Sequence, residues 1–395
     1  MKITFIITKL DINGGGENLD ILMKIRALQE AGHEISVVTA FSNLNYIPSA
    51  MSFNVFEEQA PRGGLLVLQI FIVKILKKYA AQTDVFYLVG SSFLFGAGWY
   101  RLGKSRPVVA DLNGYADYVE VYYKKEPLYP KSYLPWRKNL RRNLKHAIRI
   151  YIERFLGVFL INRFDAIIFM TETIARYYQR VGVRRNKASV IPSFMDLKVL
   201  TSRLALDNPF LKFSKDSFNI LCVGRFHIDK GMDLLIEAFS GVNFPNAKLH
   251  LVGDGPEKAV LEKIVKEKGL SDKVKFYPWH TVDGLAAFYK HADLFVHPAR
   301  LPEPMVRTVV EAMSFGLPLV VTDTSSEPWV AEEVAKTFKL GDVADLRIKI
   351  ETACQDKDFL VKARLMAEQR GKEFDYRNYV NQLSGILARL TGLEK

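Results

Sequence analysis

Cysteine is nearly missing from this chain: Cys222 and Cys354 are the two in 395 residues, far apart and without a paired spacing. Their scarcity excludes a disulfide framework and a cysteine zinc site, and the expectation is a reducing compartment. Cys222 falls in an apolar strand-like run and reads as a small core residue. Long hydrophobic runs are scarce too. The longest, Leu65 to Leu76, is interrupted by Gln69 and Lys74 and is too short to span a bilayer as a helix. The first apolar run is also too short for a secretory signal core, because Lys9 and Asp11 follow at once. It reads as a buried strand, and no transmembrane segment is expected. No short-period repeat, low-complexity tract or serine or cysteine nucleophile motif is present. His280, His291 and His297 have no set of metal partners, so no metal is expected; His297 before Pro298 at a strand end is placed to line the cleft, but a lone histidine reads first as structural. Asp356-Lys357-Asp358 matches a metal-binding string but lies in a polar helical region away from the other motifs, and is discounted.

What is present bounds the answer further. At 395 residues the chain exceeds the size at which one core keeps growing, so two domains are expected. With 49% apolar and 25% charged residues, it has a globular composition. The net charge of +12 admits nucleic acid, phosphorylated substrates or an anionic membrane surface as partners. Much of the excess lies between 137 and 154, where Arg137, Lys138, Arg141, Arg142, Lys145, Arg149 and Arg154 are opposed by Glu153 alone. Leu140, Leu144, Ile148, Tyr151 and Phe155 recur there at spacings of three and four, which predicts an amphipathic helix with a basic face. No nucleic-acid-binding motif accompanies the charge, so no nucleic acid is expected as a partner.

Strand-like runs alternate with helical patterns from end to end. Strands are predicted at Ile3–Ile7, Ile35–Val38, Val85–Leu88, Val108–Ala110, Ala166–Phe169 and Ser189–Ile191. A second set is predicted at Asn219–Val223, Lys248–Val252, Val274–Tyr277, Leu294–Val296 and Leu319–Val321. Helices such as Gly16–Ala31 and Met232–Phe239 lie between. Continuous β-rich runs with intervening helices predict parallel sheets covered on both faces. The pattern breaks between Asp196 and Ser217, where the linker is placed. The fold class is therefore α/β, with two doubly wound Rossmann-like domains facing across a cleft. They span 1–196 and 217–375, and a final helix within 376–395 crosses back to the first. In such sheets ligands sit at the carboxyl ends of strands.

Four pieces follow in order at such ends. Gly224-Arg225 ends one strand, and Lys230-Gly231 opens the next helix, so two cations stand ready to neutralise a diphosphate and stabilise it as a leaving group. Each cation alone reads as a solvated loop charge. Gly253-Asp254-Gly255-Pro256 follows the next strand, with Pro256 suited to a first helical position. By itself this reads as a tight strand-to-helix turn rather than a phosphate site. The strand ending at His297 leads to Pro302-Glu303-Pro304, with Glu311 about one turn inside the following helix. That pair brackets the free amides of a helix start, where a phosphate would sit between two carboxylates able to take sugar and ribose hydroxyls. In the first half, Gly14-Gly15-Gly16 allow close backbone approach, and Asp111 and Asn113 at a strand end are candidate polar contacts to a second substrate.

Taken together these residues resemble the retaining glycosyltransferases of family 4, which have the GT-B fold. The likeness runs from the glycine-rich loop with Glu17, through Gly32-His33-Glu34, Ile191-Pro192, Val223-Gly224-Arg225, Lys230-Gly231 and Leu251 to Pro256. It ends with Glu303 and Glu311, Glu311-Ala312-Met313 and Gly316-Leu317-Pro318. The resemblance implies that the C-terminal domain binds a nucleotide sugar. Arg225 and Lys230 would hold the diphosphate, Glu303 the transferred sugar, Glu311 the ribose, and the loop by Tyr277 and Pro278 the base. It implies a metal-independent, cofactor-free reaction with retention, a carbohydrate or lipid-linked acceptor on the N-terminal domain near Gly15, Gly16 and Asn113, and a cytoplasmic protein. The basic helix suits peripheral docking at the inner membrane face; its alternative is an apolar stripe packed in the N-domain core. Two positions depart from the family: Met305-Val306 stand where Phe-Gly is frequent, and Asn113 where a histidine is. These departures keep a non-catalytic nucleotide-binding or membrane-surface protein as the alternative. A dinucleotide oxidoreductase is disfavoured because no Gly-x-Gly-x-x-Gly follows the first strand.

Overall fold

The computed structural model describes residues 1–10, 16–41, 52–61, 65–103, 105–113, 155–202, 213–214, 216–280, 282–300, 303, 305–323 and 326–392. The chain divides into two compact units, Met1–Met195 with Tyr376–Lys395, and Asp196–Asp375.

The first unit holds strands β1 (Lys2–Ile7), β2 (Glu34–Thr39), β3 (Asn54–Glu57), β4 (Val85–Val89), β5 (Val108–Leu112), β6 (Ala166–Phe169) and β7 (Ala188–Val190). They form one sheet in the order β3-β2-β1-β4-β5-β6-β7, and every pairing is parallel. Both faces are covered, which is why the central strands read as unbroken apolar runs. On one face Phe5, Val37 and Tyr87 pack with Ile21, Ile25 and Leu28 of the helix Gly16–Glu30. Leu383, Ile386 and Leu387 join this core from the last helix, Arg377–Thr391, so the chain's final helix belongs to the first unit.

Strand β5 carries a charge into that core. Lys24, fully buried, donates to Asp20 Oδ2 at 2.8 Å and to Asp111 Oδ2 at 2.6 Å. The Tyr87 hydroxyl donates to the same Asp111 oxygen at 2.6 Å, and Asp20 Oδ1 accepts the Phe194 amide at 2.5 Å. Burial raises the Asp111 carboxyl against the pull of Lys24, and burial with the Asp111 charge raises the Tyr87 phenol. The two carboxylates overcome burial at Lys24 and keep it an ammonium.

The second unit holds β8 (Phe218–Val223), β9 (Ala247–Val252), β10 (Val274–Tyr277), β11 (Leu294–His297), β12 (Leu319–Thr322) and β13 (Ala335–Phe338), in the order β10-β9-β8-β11-β12-β13, again all parallel. The strand order reverses between β8 and β11, the switch point at whose carboxyl ends ligands of doubly wound sheets bind. The helix Leu197–Ser202, inside the stretch read as a linker, packs on the helices Val282–His291 and Arg307–Ser314 and so belongs to this unit. Cys222 and Cys354 are buried, and burial pushes both thiols up to about 12. Asp356 caps the helix Lys357–Lys372 by accepting the Phe359 amide at 2.9 Å, a structural use of the discounted acidic string. Among the described residues no helix is long and apolar enough to cross a membrane.

Candidate functional site

The loops after β8 and β9 lock together before any ligand is considered. The Gly224 amide donates to Val252 O at 3.0 Å, the Phe226 amide to Asp254 O at 2.8 Å, and the Glu257 amide to Phe226 O at 3.0 Å. A Cβ on Gly253 would lie 1.9 Å from Gly224 O, and one on Gly255 2.4 Å from Phe226 O. A Cβ on Gly224 would meet Met232 Cε at 3.4 Å, an ordinary contact. Gly253 and Gly255 therefore serve loop-on-loop packing, at a distance that a side chain would not allow. The following helix begins at Lys258 behind Glu257, so Pro256 precedes the cap rather than occupying the first helical position.

Lys230 closes the short 3-10 turn Ile228–Lys230, and Gly231 follows in the left-handed region at φ 65°. A Cβ there would stand 2.0 Å from Pro298 O, so only glycine lets the loop after β8 pass the loop after β11 this closely. The Arg300 amide donates to Asp229 O at 2.8 Å, and the Arg300 guanidinium pairs with Asp233, fastening the two loops again. This contact brings Lys230 Nζ to 2.6 Å from Glu303 Oε1. Arg225 is exposed, and among the described residues no ion pair holds it.

Glu303 also faces His297, the last residue of β11, whose Nε2 lies 3.5 Å from Glu303 Oε1. The other ring nitrogen lies 3.5 Å from Oε1 of Glu327, a fully buried residue just past β12. Burial works against the Glu303 charge, but His297 and Lys230 prevail and hold its carboxyl down at about 2. Burial alone would lower His297; the two carboxylates reverse it and bring the ring up to about 9. His297, read from sequence as structural, thus stands between two carboxylates that favour its protonated form. Glu327 belongs to no motif, and its one signal in the sequence is a carboxylate at a strand-to-helix turn.

Glu311 lies in the first turns of the helix Arg307–Ser314, mostly buried, and its Oε2 accepts the Tyr289 hydroxyl at 2.9 Å. Burial and the Glu311 charge raise the Tyr289 phenol, so it stays a donor. Met305 and Val306 are buried, and Val306 forms the N-cap position, its carbonyl accepting the amides of Val309 and Val310. Tyr277 departs from expectation. Its ring packs edge-on against Phe288 at 4.9 Å and its hydroxyl pairs with His250 Nδ1 at 3.1 Å, so the side chain is part of the core. Pro278 and Trp279 beyond it are the exposed residues at that strand end.

In the first unit, Asn113 follows β5, and neither of its buried side-chain amide atoms finds a hydrogen-bond partner among the described residues. Asp111, its companion candidate, is instead held by Lys24 and Tyr87 in the core. A strand residue facing a covering helix cannot also face a substrate. Gly16 opens the helix Gly16–Glu30. Gly15 and the basic segment 137–154 lie outside the described residues.

Two family models match in succession. "Glycosyltransferase Family 4" matches residues 14–199, and "Glycosyl transferases group 1" matches residues 207–374, which carries Lys230, His297, Glu303, Glu311 and Glu327. The chain is 29% identical over 213 residues to the lipopolysaccharide core biosynthesis glycosyltransferase LpsE of Rhizobium meliloti, covering 53% of this chain and 58% of that protein. The matched stretches span from 26% to 58% of the length of the curated relatives. Among solved structures, the sucrose-phosphate synthase of Thermosynechococcus elongatus superposes with a TM-score of 0.73 at 19% identity, covering 100% of both chains. The Anabaena protein HepE in complex with UDP superposes equally, at 0.73 and 21% identity, covering 98% of this chain and 100% of that one. At these identities the two superpositions establish the fold.

Proposed function

We propose, on the premise that the chain belongs to the family 4 type of glycosyltransferases with the GT-B fold, that it moves a sugar from a nucleotide-sugar donor to a carbohydrate or lipid-linked acceptor with retention and without a metal. The observation that carries this reading is the Lys230–Glu303 ion pair at the switch point of the second sheet. In the structure each group neutralises the other. A bound nucleoside diphosphate sugar would take both, the ammonium on its phosphates and the carboxylate on sugar hydroxyls. Arg225, exposed and without an ion-pair partner among the described residues, would add the second cation. Glu311, fixed by Tyr289, would accept from the ribose hydroxyls, and the exposed Trp279 offers a face for the base. In the transfer step the bond from the anomeric carbon to the diphosphate breaks. The bond to the acceptor oxygen forms on the same face, and the acceptor proton passes to the departing diphosphate. Lys230 and Arg225 would stabilise the charge that develops on that leaving group.

Glu303→Gln and Lys230→Ala test the site. Each is expected to lower transfer from a UDP-, GDP- or ADP-sugar by at least about a hundredfold while the melting temperature stays within a few degrees of wild type. Wild-type turnover in either variant refutes the assignment. The same assay with EDTA tests metal independence, and the anomeric signal of the product by proton NMR tests retention.

A glycolipid acceptor at a membrane face is favoured by a second observation. Leu66, Val67 and Ile70 on the helix Leu65–Tyr79, Trp99 and Leu102 at the end of the helix Leu94–Tyr100, and Leu156 and Phe159 in helical residues 155–161 are all exposed. These three segments are neighbours: Gly96 abuts the backbone of Gln69, and Gly98 abuts that of Leu160. The basic stretch 137–154 directly precedes the third in sequence.

A further inference from the structure

The donor site as described has no use for Glu327. It is fully buried, yet its two carboxylate oxygens find no hydrogen-bond partner among the described residues, and its near neighbour is His297 Nδ1 at 3.5 Å. The opposite ring nitrogen faces Glu303 at the same distance. A neutral imidazole carries one donor and one acceptor, so a ring set between two carboxylates is repelled by one of them unless both nitrogens hold protons. The rest of β11 and its partner residues on β12 are apolar, so the ring's charge is decided by these two glutamates, with Lys230 sharing the Glu303 oxygen that faces the ring. The residue beside Glu327 grips the same loop a second time, since the Ser326 hydroxyl donates to the Glu303 carbonyl at 2.9 Å. The corner after β12 therefore holds the Glu303 main chain directly and reaches its side chain through His297.

We infer that Glu327 is a positioning residue for Glu303, acting through His297, which it keeps as an imidazolium. The inference rests on the reading that Glu303 faces the transferred sugar. Its consequence appears when donor binds. Lys230 then turns to the diphosphate, and His297 is the cation left to hold the Glu303 carboxylate ionised and in place. Glu327 supplies the opposing charge without which a buried ring would lose its proton. Burial raises the Glu327 carboxyl itself, and the nearby imidazolium resists that rise.

The test is a pH titration of the seven histidines of the full chain by long-range nitrogen NMR, in wild type, Glu327→Gln and Glu327→Asp, beside transfer measured across the same pH range. In wild type His297 is expected to stay protonated through pH 8. In Glu327→Gln its midpoint should fall by at least about one pH unit, and kcat should drop roughly tenfold for each pH unit above the new midpoint. KM for the donor and affinity for UDP should change by less than about twofold, because the diphosphate contacts are untouched. Glu327→Asp should restore the protonated ring. A neutral His297 at pH 7 in wild type overturns the inference, as does a Glu327→Gln titration that matches wild type or an activity loss that is equal at every pH. Should Glu327→Gln fail to fold, the wild-type and Glu327→Asp titrations decide. The titrations need no donor, so a failure of the donor-site reading shows itself separately, as wild type that neither binds nucleotide nor transfers.

Discussion

Single side chains set the electrostatics of each unit, and they do so in opposite ways. In the second unit Lys230 and Glu303 are partly accessible and pair with each other at the strand ends. In the first, Lys24, Asp20 and Asp111 are fully enclosed and bonded only to one another and their neighbours. A buried ion pair contributes little net stability against an apolar replacement of the whole set, but removing one partner strands the remaining charges. Lys24→Met leaves two buried carboxylates without a cation and is expected to destabilise the first unit by about 3–5 kcal/mol. Urea denaturation followed by circular dichroism checks this; a loss under about 1 kcal/mol would show that water reaches the cluster.

Elements position the site through contacts between loops rather than through the strands alone. The carboxyl ends of β8 and β11 point the loops bearing Lys230 and Glu303 the same way, but their reach is set by how closely the loops pass. Gly231 is where that passage is tightest. Gly231→Ala adds a methyl group against Pro298 O in a backbone region that disfavours any side chain, and is expected to cost about 2–3 kcal/mol. It should also weaken nucleotide binding by moving Lys230 away from Glu303. Thermal melts with and without UDP read both effects; a full nucleotide-induced shift in a stable alanine variant would contradict the role given to this turn. The two strands that sequence patterning missed, β3 and β13, are both sheet edges. They are short and half buried, so the unbroken apolar run that marks the central strands is missing from them.

For the molecule as a whole, the charge of +12 and the exposed apolar side chains of the first unit bear on where it works. Both terms strengthen adsorption to an anionic bilayer, one by electrostatic attraction that salt screens and one by apolar insertion that salt leaves intact. The full chain is expected to float with phosphatidylglycerol-containing vesicles and not with neutral phosphatidylcholine ones. Ile70→Glu with Trp99→Glu should reduce flotation at high salt more than at low salt. Equal partition to both vesicle types, or none to either, would remove the membrane reading and leave a carbohydrate acceptor as the alternative.

The order of strands and helices was set by the sequence itself, because parallel sheets covered on both faces impose a local pattern of apolar runs broken at strand ends. So was the placing of Lys230, Glu303 and Glu311, since loops after strands and the start of a helix are marked by glycine, proline and charge along the chain. Tertiary structure decided what those residues touch. His297 gains its meaning from Glu303 on a loop and Glu327 at a helix start. Asp111 is held in the core by Lys24, and the Tyr277 side chain by His250 and Phe288. Sheet order and loop contact bring these groups together across long separations in sequence, and such separations leave no period for a pattern to reveal.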